Sequence, residues 1–563
     1  MKQGTWFFRF AVSVAFGALL IVNAAATVRA GDMTVSAQPA VAPLVAMHSV
    51  YMGMVPQSRY MPLQHRPVEM PDLTGVSPAT YAARKAAARY NRLAPYDARP
   101  IPDWYNPDAR YTPGLLASFA GLSDSASTCP YFGGCQPPDM AVAASSSFVV
   151  QAVNTSVAIY STSGAIKPGF PKDFTHFFHI PAPTPAGCDP AGPFASDPRA
   201  IYDPIHGKFW VAALQLEGAL GLNSCNEKTI YWIAVSKTSD PTGGWNVYAF
   251  DMKFGTTNIA DYTQIGLDDN AFYFNANMFD QFGSAYQYDE VFAADREAME
   301  KGLPVTARGL KQIKLGGVLI DTLQPVLVEG PKTGPGLFVN AFNIFSGGGQ
   351  CSSSCSGINV WAMKTPLTAP SLTVKTAASM SYSLPPLASQ PGSPSSLETI
   401  DTRITGTPVY RGGIISWAHE TAVSHGATTV PGIHWGQVKP TIVAGQITAV
   451  SMVQNAILSF TGDRAASFGA VMTDATGDLL MVFDSMSSTV FPGEYYASRL
   501  VTDPLGTLQA PQTLKKSVTS TFNSRWGDYE ATSYDGAGDN IWFAAQYSAT
   551  SGDWGTFIGE AKP

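Results

Sequence analysis

A repeated module is the feature of this sequence that most restricts its fold. The segment DPRAIYDPIHGKFW at residues 197–210 returns in altered form as DYEATSYDGAGDNIW at residues 528–542, and looser copies lie between them. Copies of a unit that cannot bury its own faces must pack against one another. The chain is therefore predicted to be a repeat protein whose function lies where the copies converge.

The composition favours many short strands over long helices. Only 14% of the 563 residues are charged and 45% are hydrophobic, while 51 Gly and 42 Pro supply material for tight turns. These values predict an all-β protein with a large core. The formal net charge is −7 and no basic run occurs. Neither nucleic acid nor anionic lipid is expected as a partner, because proteins bind both through clustered Lys and Arg.

Each module opens with an acidic residue, followed five to seven residues later by an Asp that begins a turn. The clearest copies open at Asp139, Asp197, Asp261, Asp401 and Asp528, and a weaker copy opens at Ser467. The steps are about 60 residues, except that the step from Asp261 to Asp401 is about twice as long. A hidden copy opening at Asp321 fills this gap and brings the predicted number of modules to seven.

Within a module, turn residues separate two β-rich runs. Asp203 to Gly207 supply such a turn, and Asp535, Gly536 and Gly538 supply another. About 60 residues suit a four-stranded antiparallel blade, and radial repetition of blades protects their edges. We therefore predict a seven-bladed β-propeller. Only about 35 residues follow Asp528, so the last blade is expected to borrow an outer strand from residues near 105–130.

An ordered set of motifs resembles a family of secreted bacterial seven-bladed propellers, most of which have no assigned activity. The motifs are PPDMAVAAS (137–145), SDPRAIYDPIHGKFW (196–210), VSKTSDPTGGW (235–245), DTRITGTPVYRGG (401–413) and RWGDYEATSYD (525–535). The resemblance covers roughly residues 135–560 and implies a propeller fold and an extracellular address. The stretch SDPTGGW (239–245) is similar to the Asp-box turn of sialidase-like propellers, which stabilises the outside of a blade. The faint fourth copy and Ser467 depart from the pattern.

The N-terminal region is predicted to be distinct from the propeller. Residues 1–30 read as a secretory signal peptide, so the mature protein is expected to be soluble and either extracellular or periplasmic. Residues 31–104 are assigned to an arm or pro-region that is partly helical or irregular, and residues 105–563 to the propeller. In the arm, Ser77 is a plausible N-cap with Pro78 at the first helical position. Whether maturation removes this arm is left open.

Six cysteines fit an oxidising compartment. Their spacing favours the pairs Cys129–Cys135, Cys188–Cys225 and Cys351–Cys355, although other connectivities remain open. No metal site and no cofactor are expected, because there is no Cys-x-x-Cys pair and no histidine at finger spacing. His419 and His425 also lack the spacing of a zincin helix.

The module-opening carboxylates form the candidate site. Inner strands converge near the axis of a propeller, so these residues are expected to ring one opening of the channel. We assign Asp197, Asp401 and Asp528 as candidate catalytic residues. Candidate ligand-binding residues are Asp139, Asp261, Arg199, Arg403, Arg525, Trp526 and Trp435, where the two tryptophans would stack on sugar rings. The alternative is that each Asp accepts backbone N–H groups and pairs with a neighbouring Arg, which would lock the ring.

Two classes of function follow. In the first, the protein binds an extracellular polysaccharide at the channel mouth, and paired carboxylates could hydrolyse it or abstract a proton beside an Arg-held uronate. In the second, it is a non-catalytic binding or adhesion module with a glycan or cell-surface ligand. Whether it is an enzyme is left open; if it is, a glycoside hydrolase or polysaccharide lyase is expected. A metal or redox propeller is a third, weaker option.

Overall fold

The repeated module folds as a β-sheet, and seven such sheets form a ring of blades. The structure is a computed structural model. It describes residues 34–57, 68–69, 73–92, 94–97, 99–101, 110–124, 135–189, 192–220, 223–330, 332, 334–343, 351, 353–393, 396–426, 428–521, 525–550 and 553–563. The predicted signal peptide (1–30) lies outside these residues.

Several elements precede the first blade. They are β1 (Val35–Ala42), β2 (Leu44–Tyr51), a 3-10 turn (Met52–Met54), β3 (Val68–Glu69), α1 (Pro78–Ala88), β4 (Ala117–Ser123) and β5 (Cys135–Gln136). The Ser77 side chain accepts the N–H of Thr80 at 3.2 Å, which confirms the predicted N-cap. The two strands between residues 35 and 51 were not expected from the sequence.

Blades 1 to 3 are built from consecutive strands. Blade 1 contains β6 (Ala141–Ala144), β7 (Phe148–Val153), β8 (Ser156–Ser161) and β9 (Lys172–Asp173), followed by α2 (Phe174–Phe177). Blade 2 contains β10 (Phe194–Asp203), β11 (Lys208–Glu217), β12 (Lys228–Ser236) and β13 (Gly244–Asp251). Blade 3 contains β14 (Ile259–Leu267), β15 (Ala271–Phe279), β16 (Tyr286–Asp295), α3 (Arg296–Glu300), β17 (Ala307–Leu315) and β18 (Val318–Leu319).

Blades 4 to 7 complete the ring. Blade 4 contains β19 (Gln324–Pro325), β21 (Gly336–Ala341), β22 (Cys355–Lys364) and β23 (Ser371–Tyr382), and so confirms the hidden copy at Asp321. Blade 5 contains β20 (Leu327–Val328), β24 (Val409–Arg411), β25 (Ile414–His425), β26 (Thr428–Val443) and β27 (Gln446–Leu458). Blade 6 contains β28 (Ala465–Thr473), β29 (Leu479–Met486), β30 (Gly493–Arg499) and β31 (Gln512–Lys515). Blade 7 contains β32 (Ala531–Tyr534), β33 (Ile541–Ser548) and β34 (Trp554–Ala561).

The fourth strand of blade 7 comes from the N-terminal region, as predicted. Strand β4 pairs antiparallel with β34, with Phe119 opposite Ile558 and Ser118 opposite Gly559. The Phe119 ring also lies 5.2 Å from that of Tyr160 in blade 1. This pairing joins the two ends of the repeat array and covers an edge that would otherwise be open.

The N-terminal arm is integrated into the blades. Strand β1 pairs with β17 as an outer strand of blade 3, and β2 pairs with β13 as the outer strand of blade 2. The sequence did not indicate this, because an added edge strand takes its register from its partner and needs little hydrophobic alternation of its own.

The predicted turns follow the inner strands. An aspartate at each of four such turns accepts the N–H of the residue two positions later, at 2.7–3.0 Å: Asp203, Asp268, Asp474 and Asp535. In the Asp-box-like segment between β12 and β13, Asp240 does the same for Thr242 at 2.9 Å. These side chains replace missing ladder bonds and so fix the hairpins.

Packing between neighbouring blades forms the core. The rings of Trp210 in blade 2 and Phe272 in blade 3 stack with centroids 4.6 Å apart, as expected for strand tryptophans. Disulfides Cys188–Cys225 and Cys351–Cys355 are present as predicted, whereas Cys129 of the third pair lies outside the described residues. Within the described part of the chain, no helix is long and apolar enough to cross a membrane.

Candidate functional site

One residue in every blade has a left-handed backbone conformation near the start of the inner strand. These residues, with φ between 44° and 68°, are Asp139, Asp197, Tyr262, Thr322, Ile400, Phe468 and Gly527. A non-glycine residue in this region carries about 1–3 kcal/mol of strain, so the surrounding structure must hold it in place. The repeat therefore preserves a strained backbone turn beside the axis.

In blades 2, 3 and 6 the left-handed residue begins a two-residue bulge, at which the pairing of the first two strands shifts in register. In blade 2 this shift lies between Ser196 and Arg199. The bulge shows that Asp261 corresponds to Ser196 and Ser467, one position before the left-handed residue. Among the predicted module openers, only Asp139 and Asp197 are themselves the left-handed residue. The others are offset by one position: Asp261, Asp321 and Ser467 precede the left-handed residue, and Asp401 and Asp528 follow it. Tyr262 takes the position that Asp197 has in blade 2.

A side chain from the preceding blade accepts the N–H of the left-handed residue. Four such bonds occur: Asn154 Oδ1 to Asp197 N, Asp197 Oδ2 to Tyr262 N, Asn277 Oδ1 to Thr322 N, and Glu420 Oε1 to Phe468 N. Each bond pairs a buried backbone donor, and in blades 2, 3 and 6 this donor belongs to the bulge. We call them blade latches, and they stabilise the ring.

The predicted Asp and Arg residues meet at the axis. We define the hub as the side chains of Asp139, Asp197, Asp321, Asp401, Asp528, Arg199, Arg403 and Arg525. The pKa of Asp139 is raised well above its usual range, chiefly by burial. The nearby charges of Asp528 and Asp197 raise this pKa further, and the Arg525 guanidinium lowers it. Burial likewise raises the pKa of Asp197 and of Asp528. This part of the hub therefore retains protons at a pH where exposed carboxylates have lost them.

Asp401 has the opposite electrostatic environment. Burial raises its pKa, but the Arg403 guanidinium outweighs this effect, and the net pKa lies below the usual range. Arg403 Nε and Nη2 bind the two carboxylate oxygens at 2.9 and 2.7 Å. Asn343 donates to both Asp401 and Asp321, at 2.8 and 2.9 Å, and so joins blades 4 and 5.

Tyrosines and arginines alternate across the axis. The Arg199 guanidinium lies 3.1 Å from the Tyr529 ring centroid and 5.6 Å from that of Tyr262, and Arg403 lies 4.6 Å from the Tyr262 ring. The Tyr529 hydroxyl donates to Pro198 O at 3.1 Å, which links blade 7 to blade 2. The Tyr262 hydroxyl donates to Ile404 O at 3.2 Å. All four of these side chains are buried, so the predicted exposed ring at a channel mouth is wrong for Arg199 and Arg403.

Three other predicted ligand-binding residues lie at different depths. Trp526 is buried and donates its indole N–H to Asp484 at 2.7 Å. Trp435 is on β26 of blade 5, where it packs between blades 5 and 6 and lines a cavity of about 370 Å³. Asp261 is half-buried on β14 opposite Asn277.

Among the described residues, one group of three side chains outside the hub could hold a metal ion. Asp203, His206 and Glu300 lie within 4.8 Å of one another, between blades 2 and 3. The Arg296 guanidinium contacts both carboxylates of this group, so an internal cation already neutralises charge there. The hub itself consists of carboxyl and guanidinium groups.

Sequence reasoning did not find the residues that connect the hub. Asn154 and Asn343 follow strands in the loops of blades 1 and 4 and have no local signal. Tyr262 and Tyr529 could have been found, since each follows a module-opening Asp in the same Asp-Tyr pair.

Comparison with known proteins found no family model and no curated protein that matches the sequence. Solved structures give only weak likenesses. Drosophila Plexin A in complex with Semaphorin 1b is 10% identical and has a TM-score of 0.33, covering 80% of this chain and 87% of that chain. Hadza microbial sialidase Hz136 is 10% identical, with a TM-score of 0.33 and coverages of 76% and 74%. The parainfluenza virus 5 hemagglutinin-neuraminidase with ligand DANA is 11% identical, with a TM-score of 0.36 and coverages of 68% and 92%.

Proposed function

We propose that this protein is an extracellular propeller that binds an acidic polysaccharide at its hub. The observation that carries the proposal is a pair of buried atoms around Tyr529. Within the described residues, Arg199 Nη2 and Asp139 Oδ1 have no hydrogen-bond partner. A guanidinium donor and a carboxyl group suit the carboxylate and hydroxyl groups of a uronate or another acidic sugar.

The hub also has the electrostatics of an acid–base pair. Burial raises the pKa of Asp139, whereas the Arg403 guanidinium lowers that of Asp401, so Asp139 holds its proton to a higher pH than Asp401 does. Environments that separate the pKa values of two carboxyl groups are the basis of acid–base assignment in glycosidases. Cleavage is therefore the second part of the proposal, with Asp139 as the acid.

The test is a glycan screen of residues 31–563 against neutral and acidic oligosaccharides, with binding measured by calorimetry and cleavage by new reducing ends and unsaturated products. We expect binding to acidic glycans and at least a tenfold loss of affinity in Arg199→Lys, because Lys cannot reproduce the planar guanidinium fork. Arg110→Lys, at an exposed arginine, is the matched control. Absence of binding to every acidic glycan refutes the proposal.

The blade latches favour a second candidate, a non-catalytic adhesion module. Asp197 accepts the N–H of Tyr262, and Asp401 is held by Arg403 and Asn343. In this case Asp197→Asn and Asp401→Asn lower the melting temperature, and no cleavage is seen in the unmodified protein. Asp139→Asn, which keeps an oxygen to accept the Asn154 amide, separates the two candidates because it removes only the acid.

A further inference from the structure

The hub is covered by two segments that belong to no blade. One consists of residues 383–393 and 396–400, between β23 and β24, and the other is helix α1 of the N-terminal arm. Ala388 and Leu397 of the first segment bond to each other's backbone at 2.8 and 3.0 Å. Both lie in one buried cluster with Tyr262 and Tyr529, whose rings contact the hub arginines. We call residues 383–393 and 396–400 the cover loop.

A buried lysine of the helix binds the cover loop. Lys85 Nζ donates to Ile400 O at 2.6 Å and to Thr399 Oγ1 at 2.8 Å, and it lies 3.0 Å from Glu398 Oε1. Its side chain is fully buried, and the Tyr81 hydroxyl donates to the same Glu398 oxygen at 2.9 Å. Ile400 is the left-handed residue of blade 5, so this lysine contacts the hub backbone directly.

The other side of the cover loop is attached to the connection between blades 6 and 7. Gln390 exchanges two hydrogen bonds with the backbone of Thr521, at 2.9 and 3.1 Å. Residues at the end of helix α1 also contact the cover loop. Arg89 and Asn91 donate to serine hydroxyls at 3.2 Å, and the apolar part is a small cluster around Ala88 and Leu384.

We propose that helix α1 and the cover loop form a gate over the hub, and that loss of the Lys85 contacts opens it. This inference rests on the proposed function for its purpose, since a covered hub binds a polysaccharide only after the gate opens. The way in which Lys85 is bound supports the proposed gate. The Lys85 ammonium is the buried cation of this attachment, and removing one partner of a buried ion pair is strongly destabilising because the other charge is left buried and unpaired. The blades retain their own ladders and latches when this contact is lost.

The experiment compares the full mature chain with Lys85→Met by hydrogen-exchange mass spectrometry and by glycan calorimetry. We expect exchange to increase at least tenfold in the cover loop and in residues 525–530, while β15 and β29 keep their protection. Lys301→Met, at an exposed lysine of α3, is the matched control and leaves the hub protected. Gln390→Ala loosens the cover loop from the other side and replaces Lys85→Met if that variant does not fold.

The outcomes separate the two proposals. Faster exchange at the hub of Lys85→Met together with tighter glycan binding supports both the gate and the proposed function. Faster exchange without binding of any glycan supports the gate and refutes the proposed function. Exchange that is unchanged at the hub, or that increases equally in all blades, overturns the gate.

Discussion

Asn154 joins Asp139 to Asp197. Its Nδ2 donates to Asp139 Oδ2 at 2.7 Å, and its Oδ1 accepts the N–H of Asp197 at 2.9 Å. Asn154→Ala leaves both groups buried and unpaired, and each such group costs about 1–3 kcal/mol. We expect a loss of at least about 2 kcal/mol in the free energy of unfolding, measured by urea titration. Asn226→Ala, at an exposed asparagine, should change it little; an equal loss in both variants would contradict the latch.

Ring closure depends on the ladder between β4 and β34. Ala120 is exposed and pairs with Phe557, so a proline there removes a ladder bond without creating a core cavity. We expect Ala120→Pro to lower the melting temperature by more than about 5 °C and to promote association, since the edge of β34 becomes available. Ala120→Val, which suits a strand, is the control at the same position. A fully stable proline variant would show that β4 is dispensable.

The two described disulfides should contribute different amounts to the free energy of unfolding. Cys188 and Cys225 are 37 residues apart, whereas Cys351 and Cys355 are 4 residues apart. Loop-closure entropy predicts about 4 kcal/mol for the longer loop and about 2 kcal/mol for the shorter one. Paired Cys→Ser variants, compared by denaturant titration, should rank in this order, and the reverse order would contradict the entropic account.

Stability should fall with rising pH because of Asp484. Burial raises the pKa of this carboxyl to about 8, against hydrogen bonds from Glu530, Trp526 and Gln546. The folded protein keeps a proton that the unfolded chain releases near pH 4, so stability decreases between about pH 4 and pH 8 and is level above that. Asp484→Asn should raise the melting temperature at pH 8 and leave it unchanged at pH 4. The exposed Glu297→Gln is the control. Identical pH profiles would refute this assignment.

Much of the fold could be predicted from the sequence because the repeat carries it. The period gave the number of blades, the shortage of residues after Asp528 indicated a borrowed strand, and the Asp turn residues located the hairpins. The hub was predictable only as a set of acidic and basic residues. Its connections through Asn154 and Asn343 depend on which blades become neighbours, and that information is not local.

The one-residue offsets between the predicted module openers and the left-handed residues have a similar cause. Residue type alone does not show which position of the turn becomes left-handed, because that depends on how the strand pairs with its neighbour. The cover loop was not predicted either, because residues 383–400 contain turn formers and no periodicity in their sequence. Its place above Tyr262 and Tyr529 is a tertiary feature.

The pairing of β4 with β34 also sets the order of events during synthesis. Residues 117–123 leave the ribosome more than 400 residues before their partner, residues 554–561. Blade 7 therefore cannot form during most of translation, and the early segment must stay unpaired while the intervening blades fold. The nascent protein thus depends on whatever keeps that segment from aggregating until the ring can close.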